Sequence, residues 1–388
     1  MAHYNTVLHQ LLSLVPRHDF DSLVKRFEGD RYTKKFTAWS QFSVLLFGQA
    51  GGKTSLRDIQ NALTVQSNHF YHLGLPKTIA RTTIAEANAR IDWRIYQELF
   101  YTLQRRCQTL APRHKFKFKN PLFSIDSTTI ELCLGAFPWS RYSKQRGAIK
   151  MHYGLDHAGH IPVFLTVTGA ARSDVAVASR HWPIIPDSIN CLDRGYIDFA
   201  WFRRINDEGA FFVVRPRANM LYKVAGQHDL PRNKAVLADL KIEMVERHTR
   251  QKYSGPLRLI SYYDAEGDRC FQFMTNNFKL AAFTIAEIYK ARWQIEAFFK
   301  WIKQNLKIKS FLGTSPNAVL TQVWVAMCYV LLLAYIKFQA KCSHSLFYLH
   351  RVVGQTILAR LSLLDLMHLN ARRLERVRCQ DPQLCLQL

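Results

Sequence analysis

The stretch 289-YKARWQIEAFFKWIK-303 decides how the rest of the chain is read. It holds no Gly or Pro, and the apolar residues Ile288, Ile295, Phe299, Ile302 and Leu306 recur every three to four positions, the period of an amphipathic helix. On the same wheel Tyr289, Arg292, Glu296 and Lys303 fall within about 60° of one another, roughly 90° from the apolar stripe. One acid thus stands among three groups that can hold an anion, beside a face that anchors the helix. Taken alone, such a pattern is a solvated helix flank with ordinary i,i+4 charge pairs. The partners available to Glu296 decide whether it is more.

Size and composition narrow the field. With 388 residues the chain has room for two or three domains and a sizeable core. It carries 53 Lys and Arg against 29 Asp and Glu, a formal net charge of +24. A charge of that size calls for a polyanionic partner, nucleic acid or an anionic membrane surface. No cationic amphipathic tail or lipidation signal favours the membrane. The eight cysteines are scattered, with no C-x2-C pair and no signal peptide ahead of them, which points to reduced thiols in a cytosolic protein. The longest apolar run, Val323 to Ile336, is too short for a membrane span and reads as a buried helix.

Residues 5–110 read as helices. DFDSLVKRF opens on a cap at Asp19 or Asp21, AWSQFSVLLFGQA ends at Gly51-Gly52, and Thr54 or Ser55 with Asp58 makes a capping-box start for the next helix. A short turn and a helix opened by Arg81, Thr82 and Thr83 suit presentation of a helix to DNA, and equally a helical scaffold or dimerisation domain. PRHKFKFKN, from Pro112 to Asn120, marks a domain boundary, and the period then changes. LFSIDSTTIEL reads as a strand carrying Asp126, and IKMHYGLDHAGHIPVFLTVTG as two strands joined at Asp156 to Gly159. SINCLDRGYIDF holds a short strand running into Asp193, WFRRINDEG a helix closed by Gly209, and AFFVVRP another strand. Strands with turns continue to Asn277, ahead of the Tyr289 helix. The basic run ARRLERVR near the end is a solvated tail or a nucleic-acid contact.

Three carboxylates now fall into one pattern: Asp126 in a strand, Asp193 at the end of another before an Arg194-Gly195 turn, and Glu296 on the helix. Such a set can hold two divalent cations about 3.5–4 Å apart, one activating the attacking water or hydroxyl and the other stabilising the leaving oxygen of a phosphoryl substitution. All-oxygen ligands suit Mg²⁺ or Mn²⁺.

At these residues the sequence resembles a known family. Tyr289-x2-Arg292-x3-Glu296-x6-Lys303, with IDSTTI around Asp126 and LDRGYIDF around Asp193, is similar to the signature of the insertion-sequence DDE transposases, whose catalytic core is ribonuclease-H-like. The likeness runs to about residue 345, and the amino-terminal region resembles the helical domain that precedes the core in one subgroup. It implies an α/β fold: an all-helical domain over 1–111, a mixed-sheet core over 112–345 with a β-rich insertion at about 215–278, and a helical basic tail over 346–388. It implies that Asp126, Asp193 and Glu296 form the metal-binding catalytic triad for two Mg²⁺ (or Mn²⁺) ions. Tyr289, Arg292 and Lys303 would hold phosphates of the cleaved element end, with Arg81, Arg194, Lys300 and Lys307 as further DNA contacts. The expected activity is cleavage of double-stranded DNA at terminal inverted repeats and strand transfer into target DNA, by a cytoplasmic, nucleoid-associated protein acting as a homodimer on DNA, with no membrane partner. The alternatives are a metal-dependent nuclease without strand transfer and a catalytically inactive DNA-binding relative. Relatives that pass through a DNA hairpin place a stacking aromatic in the insertion, for which Trp201, Tyr222, Tyr253 and Tyr262 are the candidates.

Overall fold

Helix-period and strand-period sequence separate along the chain. The computed structural model describes residues 5–368 apart from 66, 68–72, 231–234, 307 and 309. Two compact units emerge, one of Met1–Pro112 with Trp301–Leu388 and the other of Arg113–Lys300. The division falls inside the segment 112–345.

The helical unit opens with Val7–Ser13 (α1), Arg17–Arg26 (α2), Ala38–Ala50 (α3), Leu56–Val65 (α4), Arg81–Arg90 (α5) and Arg94–Leu110 (α6). α2 starts two residues before the expected Asp19 cap: Pro16 takes the cap position, and Asp19 sits in the first turn, where an acid favours the helix dipole. The capping box at α4 is present, with Ser55 Oγ accepting from the Asp58 N–H (3.1 Å) and Thr54 donating to the Asp58 carboxylate (2.8 Å). After the sheet unit, α12 (Pro316–Gln339), α13 (Leu346–Thr356) and α14 (Leu363–Met367) complete this unit. At 24 residues α12 is long and apolar enough to cross a membrane by length and composition, contrary to the shorter run read from sequence. It is a core helix nonetheless. Cys328 Sγ donates to the Tyr96 carbonyl, Cys107 Sγ to that of Leu331, and Trp324 stacks on Trp93 at 6.4 Å. The run ARRLERVR lies outside the described residues.

In the second unit β1 (Leu122–Leu132) is the organising strand. It pairs antiparallel with β2 (Gly147–Asp156), which pairs antiparallel with β3 (Ile161–Gly169) across the expected turn. The chain then crosses through α7 (Asp174–His181) to β4 (Ile189–Leu192), parallel to β1, and through α8 (Phe199–Asp207) to β5 (Phe211–Val214), parallel to β4. This is the expected ribonuclease-H-like mixed core. β6 (Tyr222–Gln227), β7 (Val236–Met244), β8 (Leu257–Asp264) and β9 (Arg269–Thr275), with α9 (Arg247–Lys252), form the β-rich segment. They do not stand as a separate module: β9 pairs antiparallel with β5 through Val213↔Thr275 and Val214↔Met274, giving one nine-stranded sheet, β3-β2-β1-β4-β5-β9-β8-β7-β6. α10 (Ala282–Ala291) and α11 (Trp293–Asn305) follow.

The core strands are apolar on both faces, as strands covered by helices on both sides must be. Phe123, Ile125, Leu192, Phe212 and Val214 pack with Trp182, Trp201 and Phe202 on one face. Leu122, Ile189, Cys191 and Val213 pack on the other with Ile285, Ile288 and Tyr289 of α10. The two-residue alternation carries through to Asp126 and Asp193, which therefore face the α10 side. Ile125 is in register with Leu192, so Asp126 comes next on β1 and Asp193 next after the end of the neighbouring parallel β4.

Gly154 of β2 lies opposite Ile125 in the sheet. The buried Trp182 indole lies on it, donating from Nε1 to Asn190 Oδ1 (2.9 Å) and meeting Phe123 and Phe164 edge-on at 5.6 and 5.5 Å. A methyl at position 154 would overlap the indole ring, which has no room to retreat. Gly154→Ala is expected to cost about 2–3 kcal/mol, read as a lower denaturant midpoint with an unchanged slope; a midpoint equal to the wild type would contradict this packing.

Candidate active site

The helix quoted at the outset is two helices. The break falls at Arg292, where the Arg292 N–H bonds the Tyr289 carbonyl (3.1 Å) and the Ile295 N–H bonds the Arg292 carbonyl (3.0 Å), i→i−3 steps in place of i→i−4. Nothing in the sequence announces it, since no Gly or Pro is present. The break leaves Tyr289 on the sheet-packed α10 and starts α11 afresh with Glu296 in its first turn, where the helix dipole favours an acid.

Around Arg292 the acids gather. Its Nη2 donates to Glu296 Oε1 at 2.7 Å, and its Nη1 lies 3.6 Å from Asp126 Oδ2. Tyr289 Oη donates to Asp193 Oδ1 at 3.4 Å, and its ring packs on Phe273 at 4.8 Å and under the Arg292 guanidinium at 5.4 Å. Burial pushes the Tyr289 phenol above its usual range, so it remains a donor. The Arg292 side chain is only 11% exposed, and its Nε–H is buried with no hydrogen-bond acceptor. Asp126 accepts from the Ser127 N–H at 2.8 Å. Its carboxyl is pushed up to about 6, chiefly by burial and further by the charges of Asp193 and Glu296, against the Ser127 N–H and Arg292. Asp126 thus feels the charge of both other acids.

The other expected contacts distribute differently. Lys303 lies on α11 two turns beyond Glu296, about 10 Å further along the axis. Lys300 is exposed one turn beyond Glu296, on the same side of α11. Arg194 is exposed in the 3₁₀ turn that Asp193 opens, and nothing lies within 4 Å of where a Gly195 Cβ would stand, so that backbone is open to a ligand. Arg81 belongs to the helical unit, at the first position of α5, with its backbone N–H on Gln60 Oε1 (3.0 Å). Lys307 lies outside the described residues. Trp201, Tyr253 and Tyr262 are core residues at 1, 4 and 5% exposure, which removes them as stacking platforms; Tyr222 alone of that set is half-exposed.

Sequence reading missed a polar group on the opposite face of β1. Ser127 Oγ donates to Asp174 Oδ1 (2.7 Å), and Lys150 pairs with the same oxygen (3.1 Å). His152 stands beside it, held neutral by burial, which lowers its pKa to about 4. Lys150 and His152 two apart in an apolar strand were the legible signal. Asp174 by itself passes for an ordinary first-turn acid.

Among the described residues no three Asp, Glu, His or Cys side chains form a ready cation cage; the positive charge among the acids is the Arg292 guanidinium. The donor chemistry nevertheless suits a hard divalent cation, since the converging groups are carboxylates that keep some contact with water.

The chain is similar to several known proteins. The transposase DDE domain family matches residues 117–332, and a domain of unknown function (DUF4372) matches residues 3–76. A putative transposase of Sinorhizobium fredii is 33% identical over 65% of this chain and 70% of its own length. A probable transposase for an insertion sequence element of Geobacillus stearothermophilus is 27% identical over 69% and 70%. A solved synaptic complex of the piggyBac transposase with hairpin DNA matches 97% of this chain and 82% of its own at 11% identity, with a TM-score of 0.46.

The raised Asp126 value has a consequence for the metal-free protein. In an unfolded chain this carboxyl titrates near 3.9, so between about pH 4 and 6 the native state holds a proton that the unfolded state has lost, and stability falls as pH rises. Asp126→Asn removes that fall. In EDTA at pH 8 the variant should melt above the wild type by about 2–4 °C, the two curves meeting near pH 4; a constant offset across this range would contradict the assignment.

Proposed function

The chain belongs to the transposase DDE domain family and is a DNA transposase of the insertion-sequence type, and from that premise we propose that Asp126, Asp193 and Glu296 are its catalytic carboxylates. Members of this family use divalent metal ions. Two Mg²⁺ ions, or Mn²⁺ in their place, are the proposed cofactors, and when bound they supply an activated water or 3′-hydroxyl and stabilise the leaving oxygen. The observation that carries the reading is the convergence of Glu296 and Asp126 on one guanidinium, with Asp193 held beside them by Tyr289.

The roles of the chain's own groups follow from their chemistry. Asp126 lies within β1, Asp193 directly follows β4 as the cap of the 3₁₀ turn, and Glu296 sits in the first turn of α11, so regular backbone sets the starting point of each side chain. Arg292 can hold a phosphate bidentately, Tyr289 can donate to a phosphate oxygen, and Lys303 and Lys300 act as point charges further along α11. Arg194 and the open Gly195 backbone lie next to Asp193 and would meet the same strand. The net charge of +24 favours sequence-independent phosphate binding that weakens steeply with salt.

Substrate and assembly belong to the same proposal. The enzyme would cut at the terminal inverted repeats of its element and join those ends to target DNA, as a homodimer on two ends. The helices of residues 1–111, including Arg81, would read the repeats. A base-substitution scan of a terminal repeat with the full chain tests this. Arg81→Ala should weaken binding and flatten the response to one or two base changes; an unchanged scan would remove Arg81 from recognition.

Glu296→Gln is expected to lower cleavage at least about 1000-fold, equivalent to about 4 kcal/mol, while leaving binding to a labelled element end unchanged. Persistence of cleavage would show the triad to be misassigned. Pre-cut ends supplied with a target plasmid and Mg²⁺ should give joined products; hydrolysis without joining would mark a nuclease instead.

A further inference from the structure

Three carboxylates near one another, one of them largely buried, repel unless a positive charge accompanies them. Among the described residues Arg292 is the cation in ion-pair contact with Asp126 and Glu296. Its seat is firm in the backbone and loose in the side chain. The backbone is tied on both sides of the helix break, to Tyr289 and Ile295. The guanidinium makes one good bond, to Glu296, and a longer 3.6 Å approach to Asp126, and its buried Nε–H has no acceptor. A buried donor without an acceptor costs about 1–3 kcal/mol, so this arrangement is not the best that the side chain can make.

We propose that Arg292 is an internal counter-cation, standing among the acids in the metal-free enzyme and leaving them when divalent cations bind. A guanidinium seated among these carboxylates repels a cation brought to them and draws on the same negative charge, so the two compete. Once released, the guanidinium has all of its donors, the orphaned Nε–H included, available for a DNA phosphate. Metal loading and phosphate capture are thereby linked through one side chain: cations raise the affinity of the site for the phosphate, and a phosphate that draws Arg292 away raises the affinity for cations. The proposal rests on the assignment of Asp126, Asp193 and Glu296 as metal ligands, and Arg292 acts in it as a positioning residue.

The test is titration of the full-length protein with Mn²⁺ alone, without DNA, by calorimetry or by the electron paramagnetic resonance of the free ion. Arg292→Gln should bind Mn²⁺ at least about tenfold more tightly than the wild type, the scale on which groups bonded to metal ligands alter affinity. Arg292→Lys should fall between them, because one ammonium cannot span two carboxylates, and it supplies the comparison should the Gln variant fold poorly. In EDTA the Gln variant should melt below the wild type and gain more from added Mn²⁺. A residue that merely supported the site's structure would lose affinity on substitution, the opposite sign. Equal or weaker Mn²⁺ binding by both Arg292 variants, with Glu296→Gln weaker still, would overturn the counter-cation role and leave the triad standing. Wild-type binding unaffected by Glu296→Gln would overturn the triad assignment itself.

Discussion

Holding three carboxylates together in a half-buried place is unfavourable unless positive charge is brought to them, and the architecture of the sheet unit answers that constraint. Burial alone drives the Asp126 carboxyl towards its protonated form, and the neighbouring Asp193 and Glu296 add to the shift. The compensating charge comes from Arg292, placed at the junction of two helices so that one guanidinium meets both Asp126 and Glu296. Tyr289 adds a neutral donor to Asp193 from the preceding turn. A cluster of acids of this kind is electrostatically unfavourable by itself, which would make it receptive to cations.

The positions of these groups descend from strand alternation and one helix break. Leu122 and Cys191 place the even-numbered face of β1 and the odd-numbered face of β4 against α10, and Asp126 and Asp193 inherit that face. Trp182 packs tightly over Gly154 in the hairpin strand beside β1. On the far side, β5 receives β9, so the β-rich segment continues the same sheet that carries Asp126. In the helical unit α12 is enclosed by α3 and α6 and serves as the core around which those helices pack.

Much of this was legible because it rests on short-range pattern. The strand ends at Leu122 and Leu132, the turn from Asp156 to Gly159, the capping box at Ser55 and Asp58, and the acids at Asp126, Asp193 and Glu296 all follow from periodicity, turn chemistry and spacing. What escaped was set by contacts distant in sequence. The break at Arg292 carries no helix-breaking residue, so a straight helical wheel was the natural reading, and it placed Tyr289 and Glu296 on one continuous face. Trp201, Tyr253 and Tyr262 had the composition of a stacking platform, but the hydrophobic core claimed all three. Asp174 and Lys150 meet across a crossover connection that no local signal predicts.

The element types, the basic character of the chain, and the three acids with Tyr289, Arg292 and Lys303 at their spacing are all written in the order of residues. These properties follow from side-chain chemistry and from periods of two and 3.6 residues, which neighbouring residues carry among themselves. That Asp126 and Asp193 share a face, that the β-rich strands join the core sheet, and that Arg292 stands between the acids rather than out in solvent emerges only in the assembled fold. Each of those depends on strand register and on burial, where residues far apart in the chain compete for the same space and the same partner charge.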